Sequence, residues 1–400
     1  DVPGAGYSIC KFMVYGGKTT FSCPQIWTEE TGITEADFNG EVVKIGLLSP
    51  QTGPIAVYSS GFEIAADIAI DALNAIDPEN YRFQLITADS GCDGRLAALA
   101  AQILVNSGVG GIAGAACSGA TLGAISVASV AGVPMVSYAS TSPALTTADD
   151  GDHLFRVVPA DDLQARALVD IVKSNGLSNP GVLYMSNDYG VGLADFFESA
   201  WKPDAVCKSA SYDPSEGAYD AGALAASVID AGCDSVIMIS YATDGAWIAE
   251  ELHGQGFKGH RFGADTIADA GFINASADQS TLDGIIATRP RQAGDSEQKS
   301  LFESAWSKAG GPAGALYTHE VYDSVLLIGM ALLSSEPDAA VAVAKTGVGF
   351  EGASGKHTFD AAGDVIGNGY DGCSFTYTAP SASFGCSQFW TIADGLSDMP

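Results

Sequence analysis

Positive charge is scarce in this sequence. Its 400 residues include 18 Lys and Arg but 48 Asp and Glu, which gives a formal net charge of −30. Nucleic acids and anionic membranes repel a surface of that sign, so the composition argues against either one as a partner. Scarce lysine and thinly spread acidic residues indicate a salty external medium, although an ordinary solvated surface would also account for them.

Long hydrophobic runs are also missing. No stretch of 18 apolar residues occurs, so the sequence predicts no membrane-spanning helix. The chain starts at Asp1 without an apolar signal core, and we interpret this as the start of a processed export product or of a trimmed chain.

Metal-binding patterns are rare as well. Only five His accompany eight Cys, and no two cysteines form CxxC, so we expect neither a metal nor a cofactor. The even number of cysteines, with sequence neighbours 13, 25, 26 and 13 residues apart, predicts four local disulfides and an oxidising, periplasmic or extracellular location. Buried free thiols are the alternative. The cysteines are Cys10, Cys23, Cys92, Cys117, Cys207, Cys233, Cys373 and Cys386.

An alternation of strand and helix patterns is what the sequence does contain. Val42–Leu48 is a continuous apolar run, typical of a parallel strand covered on both faces. Gly61–Ile76 follows with an apolar stripe at helical spacing. Further strands are predicted at Arg82–Ala88, Gly111–Ala116, Pro134–Tyr138, Gly181–Ser186, Val206–Tyr212, Ser235–Ser240, His260–Gly263 and Gly284–Ala287. Further helices are predicted at Gly94–Asn106, Gly119–Ala131, Asp162–Asn175, Gly190–Trp201, Asp220–Ala231, Asp244–Gln255, Ser296–Lys308 and Leu316–Leu333. This order predicts two successive α/β units with parallel sheets.

Polar turns follow several of these strands. SPQTGPIAVYSSG follows the first strand, CSG the third and ASTSPALT the fourth, while SNDYGVG, Tyr241 and ADT end strands of the second unit. Ligands bind beyond the carboxyl ends of strands in open parallel sheets, so we expect these turns to meet in one cleft. Their hydroxyls and the free N–H groups of helix starts suit a carboxylate.

The motifs resemble those of the type I periplasmic binding proteins, in particular the leucine/isoleucine/valine-binding protein of branched-chain amino-acid ABC importers. The likeness extends from about residue 42 to residue 367. It implies an α/β fold of two Rossmann-like lobes with parallel central sheets, joined by a multi-strand hinge as in a Venus flytrap. It also implies a disulfide between Cys92 and Cys117. The matching stretches are TGPIAVYSSGFEIAADIAI, ADSGCDGRLAALAAQILV, GAACSGATLGAISVASVAGVPMVSYASTSPALT, MSNDYGVGLA, FGAD and TFDAAGDVIG.

The predicted domain organisation has three parts. We assign an N-terminal disulfide-pinned extension to residues 1–40, a first lobe to 41–159 plus 289–362, and a second lobe to 160–288 plus 363–400. The extension and the tail from Tyr370 depart from the family pattern. We expect both to be disulfide-pinned caps against a lobe, and a docking role is the alternative.

The resemblance implies a ligand site at the lobe interface. Ser118 and the adjacent helix start would bind the ligand carboxylate, and Thr141 would bridge the carboxylate and the ammonium. Ala139 would offer its carbonyl to the ammonium. The alternatives are a simple helix cap for Ser118 and an ordinary loop position for Thr141.

An acidic residue and four tyrosines complete the predicted site. Asp265 lies where the branched-chain binder has a glutamate that pairs with the ammonium, and Asp265 is one methylene shorter. A γ-amino acid or a differently seated ligand therefore stays open, as does a turn-forming role for Asp265. The tyrosines expected to wall the pocket, or alternatively to pack at strand ends, are Tyr58, Tyr189, Tyr241 and Tyr317.

Catalytic motifs are weak. GVGFEG at Gly347–Gly352 follows a helical pattern rather than a strand, and no His lies where it would activate Ser118. We expect a non-enzymatic, exported solute-binding protein that captures a small zwitterion, most simply an amino acid. The resemblance implies delivery to the membrane permease of an ABC importer, by a protein that we expect to be a monomer. The alternatives are the ligand-sensing ectodomain of a receptor, or a binder of an amide, urea or a γ-amino acid.

Overall fold

The computed structural model describes residues 7–15, 18–28, 32–35, 38–215, 217–291 and 294–399. Within these residues, eighteen strands and eleven α-helices follow one another along the chain. The strands are β1 (Tyr7–Tyr15), β2 (Lys18–Thr28), β3 (Gly32–Glu35), β4 (Glu41–Ser49), β5 (Tyr81–Asp89), β6 (Gly111–Ala113), β7 (Met135–Ser137), β8 (Leu154–Arg156), β9 (Pro180–Met185), β10 (Lys208–Tyr212), β11 (Ser235–Ile239), β12 (His260–Gly263), β13 (Ile286–Pro290), β14 (Phe350–Glu351), β15 (Lys356–His357), β16 (Tyr370–Thr378), β17 (Ser381–Thr391) and β18 (Gly395–Asp398). The helices are α1 (Ser59–Asn74), α2 (Gly94–Asn106), α3 (Ser118–Ala128), α4 (Asp161–Ser174), α5 (Asp188–Trp201), α6 (Ala221–Asp230), α7 (Ala242–Gly254), α8 (Ala270–Ala275), α9 (Glu297–Ala309), α10 (Thr318–Leu332) and α11 (Ala339–Thr346).

The first sheet has the strand order β5-β4-β6-β7-β8, and all of its pairs are parallel. Ile45, Leu47 and Leu48 of β4 are fully buried, which is why this strand has an apolar run rather than an alternating pattern. The helix pairs α1 with α10 and α2 with α3 pack on this sheet. Together they form the first lobe of the molecule.

The second sheet has eight strands in the order β10-β9-β11-β12-β13-β16-β17-β18. Its first five strands are parallel, as predicted, and its last three are antiparallel. The expectation that the tail from Tyr370 is a cap is therefore wrong: the tail forms β16 to β18 and extends the sheet. Alternating exposure along β17 is the pattern of such a strand.

The chain passes between the two lobes three times. It leaves the first sheet after β8, returns after β13 to form α9, α10 and α11, and leaves again before β16. Arg156 and Asp364 tie two of these crossings together, because the Arg156 guanidinium donates to both oxygens of the carboxylate at 2.5 and 2.8 Å. The molecule thus has the predicted two-lobed α/β fold with a hinge of several segments.

All eight cysteines are paired as the sequence predicts. The disulfides join Cys10 to Cys23, Cys92 to Cys117, Cys207 to Cys233, and Cys373 to Cys386. The first of them lies in a separate three-stranded antiparallel sheet formed by β1, β2 and β3. In that sheet β1 also contacts α1 of the first lobe.

Candidate functional site

A cavity lies between the lobes, where the carboxyl ends of several strands meet. The segments after β6 and β7 contribute residues from the first lobe, and those after β9, β11 and β12 contribute residues from the second. The cavity therefore occupies the position that parallel strand order dictates. Its lining consists of Ile55, Tyr58, Phe62, Ala116, Cys117, Ser118, Ala139, Tyr189, Tyr241, Asp265, Thr266, Leu316 and Tyr317.

The first lobe presents the start of helix α3 to this cavity. Ser118 is the first residue of α3, and the earliest intrahelical bond runs from the Thr121 N–H to the Cys117 carbonyl at 2.9 Å. The N–H groups of the preceding residues have no carbonyl within the helix, so they and the helix dipole favour an anion there. The Ser118 hydroxyl accepts from the Ser142 N–H at 3.2 Å, which leaves its own proton for another acceptor.

The second lobe presents a buried carboxylate. Asp265 is 1% exposed and follows β12. Tyr189 donates to Oδ1 at 2.7 Å, and Tyr317 donates to Oδ2. Burial raises the pKa of Asp265, and the hydrogen bonds from Tyr317, Tyr189 and Gln164 oppose that rise because they stabilise the ionised form.

A second buried acid lies behind the first. Asp161 is fully buried at the start of α4, and the sequence analysis did not single it out. Burial raises its pKa well above the usual range, and the negative charge of Asp265 raises it further. The Thr141 hydroxyl and Arg156 act in the opposite direction. Of two neighbouring buried carboxyls, the one with the stronger hydrogen bonds ionises first, and here that is Asp265.

The tyrosines connect the two lobes. Tyr189 and Tyr241 stack with centroids 6.4 Å apart, and the Tyr241 hydroxyl lies 3.5 Å from Cys92 Sγ in the first lobe. From the first lobe, Tyr58 donates to Asp269 Oδ1 at 3.2 Å. These contacts hold the two walls of the cavity against each other.

Tyr317 makes the most strained of these connections. It stands just before α10 with φ of 61°, a left-handed conformation that costs free energy for a residue with a bulky side chain. Tyr317 is in the first lobe's chain segment, yet its hydroxyl reaches Asp265 in the second. The strain is thus associated with a contact that crosses the cavity.

Seven of the eight predicted site residues line the cavity, and Thr141 does not. Thr141 is 1% exposed, and its carbonyl accepts from the Asp161 N–H at 2.9 Å. The contact of Thr141 with a ligand, which the resemblance implied, stays a prediction.

The sequence analysis missed most of the apolar lining. Ile55 and Phe62 lie inside the motif TGPIAVYSSGF, and Thr266 is adjacent to Asp265, so the same motifs contained the signal. Leu316 stands beside Tyr317 in the same way. Asp161 had no such signal, because an acid in the first turn of a helix is ordinarily explained by the helix dipole.

The described part of the chain offers neither a metal centre nor a membrane-spanning helix. It contains no group of three or more His, Cys, Asp or Glu side chains that could hold a metal ion. None of its helices has both the length and the apolar character to cross a membrane.

Two lobes that enclose a cavity, with a helix start on one side and a buried carboxylate on the other, define the class of two-lobed ligand-binding proteins. Residues 62–377 match the family described as "Receptor family ligand binding region", and the chain belongs to that family.

Individual relatives agree with this assignment. The chain is 28% identical over 340 residues to Leu/Ile/Val-binding protein homolog 3 of Brucella melitensis, covering 82% of this chain and 90% of that protein. It is 25% identical over 343 residues to the leucine-, isoleucine-, valine-, threonine- and alanine-binding protein of Pseudomonas aeruginosa, covering 84% and 90%. The branched-chain amino acid transporter substrate-binding protein LivJ of Streptococcus pneumoniae, solved with isoleucine, shares the fold. Its TM-score is 0.74 at 22% identity, covering 86% of this chain and 100% of LivJ.

Proposed function

We propose that this protein captures a small amino acid between its lobes. The observation that carries the proposal is the pairing, in one cavity, of the α3 helix start at Ser118 with the buried carboxylate of Asp265. The ligand carboxylate would accept from Ser118 and the helix N–H groups, and its ammonium would pair with Asp265. A zwitterion satisfies both, whereas an anion or a cation alone leaves one of them without a partner.

The rest of the lining favours an aliphatic side chain. Ile55, Phe62 and Leu316 offer apolar surface, and the tyrosine rings add more. The Brucella and Pseudomonas relatives are both named as binders of leucine, isoleucine and valine, and the Pseudomonas protein also of threonine and alanine, which supports a small amino acid as the ligand. The Ala139 carbonyl, also in the lining, would accept from the ammonium.

Transport is the process that we propose the binding serves. The lobes would close over the ligand in the periplasm or outside the cell, and the closed form would deliver it to the membrane permease of an ABC importer. The protein would act as a monomer and would release the ligand unchanged, without catalysis. The name of the LivJ structure, a transporter substrate-binding protein, supports this role.

A thermal-shift panel tests the ligand class. L-leucine, L-isoleucine and L-valine should raise the melting temperature, because a ligand at a thousand times its Kd adds about 4 kcal/mol to the free energy of unfolding. Leucine methyl ester, which lacks the carboxylate, and 4-methylpentanoate, which lacks the ammonium, are the matched controls and should give no shift. Equal shifts with either control would contradict the two-sided site.

One alternative is supported by a specific residue. Asp265 is one methylene shorter than the glutamate that the resemblance implies at this position, so the ammonium would be seated farther from Ser118. The panel therefore includes γ-aminobutyrate, urea and acetamide. A larger shift with γ-aminobutyrate than with leucine would assign the site to a γ-amino acid, and a shift with urea or acetamide would assign it to a neutral amide. A membrane segment encoded downstream of Pro400 would instead favour a receptor ectodomain.

A further inference from the structure

The first and last segments of the chain share a sequence. Residues 1–35 align with residues 364–398 without a gap, at a constant offset of 363, and 13 of the 35 positions are identical. The match opens with DVPGAGY against DVIGNGY and continues with CxF, FxC, QxWT and a later Gly. Both cysteines are among the identical positions.

The described structures of the two segments match equally closely. Strands β1, β2 and β3 have the bounds of β16, β17 and β18 shifted by 363 residues. Both hairpins have a register irregularity at the same place, between Ile9 and Lys11 in one and between Gly372 and Cys373 in the other. We call β1–β3 the N-terminal strand module and β16–β18 the C-terminal strand module.

The C-terminal strand module is built into the second lobe. Strand β16 pairs with β13 from Ile286↔Ser374 to Pro290↔Tyr370. Trp390 is 4% exposed, packs with Tyr370, and donates its Nε1–H to Asp170 at 2.7 Å. This module therefore completes a sheet of its own unit.

The N-terminal strand module has no such sheet in the described residues. There β1 pairs with β2 alone, so the edge Tyr7–Lys11, which corresponds to the part of β16 that meets β13, is unpaired. Trp27, the counterpart of Trp390, is 39% exposed. An unpaired strand edge is a ready site for addition to another sheet.

In this chain the edge of β13 is already paired with the chain's own C-terminal strand module. A second copy of this chain therefore has no free β13 edge with which β1 could pair. The repeat also begins before the strands, at Asp1 and Val2, which match Asp364 and Val365. Asp364 forms an ion pair with Arg156 within its own unit, 208 residues away. Residues 1–35 retain this aspartate as Asp1, so they match the C-terminal end of a complete two-lobed unit and not only its three strands.

We propose that residues 1–35 are the end of a second ligand-binding unit of the same kind, which precedes this one in the same polypeptide. Strand β1 pairs with that unit's counterpart of β13, and Trp27 packs there as Trp390 does here. The two units are then joined by a linker of residues 36–40, which ends where β4 begins. The unpaired edge of β1 would thus pair with the preceding unit's sheet in the same register in which β16 pairs with β13.

A module exchange tests the equivalence of the two segments. In the full chain, residues 364–398 are replaced by the sequence of residues 1–35, which preserves the length. We expect a cooperative melt, followed by circular dichroism without ligand, within about 10 °C of the parent. A matched chain carrying the same 35 residues in scrambled order should lose that cooperative transition. Failure of the exchanged chain to fold, or equal behaviour of the scrambled chain, would overturn the equivalence. The ligand-free readout keeps this result separate from the proposed function.

Sequencing of the gene upstream of the Asp1 codon tests the preceding unit. We expect an uninterrupted reading frame of roughly 330 codons, enough for the remainder of a unit with the period of 363 residues. It should encode the arginine and the β13 strand that correspond to Arg156 and Ile286–Pro290. A stop codon or a signal sequence directly upstream would refute the proposal, even if the exchanged chain folds.

Discussion

Asp265 is the residue whose surroundings decide what the cavity can hold. It is buried, both of its oxygens accept from tyrosine hydroxyls, and it is one of two neighbouring buried acids. A buried carboxylate without a cation nearby is costly, and a ligand ammonium lowers that cost. Under the proposed function, Asp265 would therefore select a ligand by charge as well as by shape.

Replacement of the charge tests this role. Asp265→Asn keeps the shape of the side chain and should weaken binding of the amino-acid ligand at least about 100-fold, because the ammonium loses its charged partner. The melting temperature without ligand should stay equal or rise, since a buried charge is removed. Isothermal titration calorimetry and thermal melts measure the two effects. The exposed Asp195→Asn is the matched control, and unchanged affinity in Asp265→Asn would remove this residue from the site.

Ser118 can be tested on its own helix. Ser118→Ala removes one hydroxyl donor to the ligand carboxylate and should weaken binding about 10- to 100-fold, as expected for a hydrogen bond to a charged group. Ser126→Ala, on the exposed side of α3 where the hydroxyl bonds the Gly123 carbonyl, is the control and should bind normally. Equal affinities of the two variants in calorimetry would show that Ser118 acts only as part of the helix start.

At the scale of elements, the sequence predicted most of the strands and helices that position the site. Helix α2 has the predicted bounds, and β12 does as well. Strand β6 ends earlier than predicted, because Gly114 has φ of 121° and the chain bends towards α3. Strand β7 is one residue shorter than predicted at each end. Short elements with few apolar positions, such as β8 and α8, had no periodicity to reveal them.

The terminal segments show why the remainder was not predicted. Their cysteines indicated local disulfides correctly, but that pattern does not say which sheet a hairpin joins. Pairing of β16 with β13 joins residues about 85 positions apart, and local patterns do not specify it.

Helix α10 contains an acid that makes stability depend on pH. Glu320 is buried, and burial raises its pKa to about 7, with the nearby Asp323 adding to the rise. Below its unfolded pKa the side chain is neutral in both states. As pH rises towards 7, the unfolded state releases the proton first, so the free energy of unfolding falls.

Glu320→Gln should remove this dependence. Between pH 4.5 and 7 the free energy of unfolding of the parent should fall by on the order of 1–3 kcal/mol through Glu320. In the variant this contribution should be absent. Urea unfolding at pH 5 and pH 8 measures the difference. The exposed Glu79→Gln should keep the slope of the parent, and identical slopes in all three proteins would contradict the assignment.

For the whole molecule, the net charge of −30 is the dominant property. Charge of one sign repels itself in the compact state, and salt screens that repulsion. NaCl should therefore raise the melting temperature, by about 1 °C for each kcal/mol of repulsion removed in a chain of this length. Most of the rise should come below about 0.3 M, where the screening length changes most. A flat response in that range, with a rise only at higher concentration, would show that solute exclusion rather than screening acts.

The N-terminal and C-terminal strand modules allow two equivalent hairpins to be compared within one chain. Both have the same bounds, disulfide spacing and register irregularity, but β16 has a neighbouring strand and β1 has none in the described residues. Amide hydrogen exchange on a single sample would record both under identical solvent, temperature and pH. The difference in protection between Tyr7–Lys11 and Tyr370–Ser374 would then measure what a neighbouring sheet contributes to a hairpin.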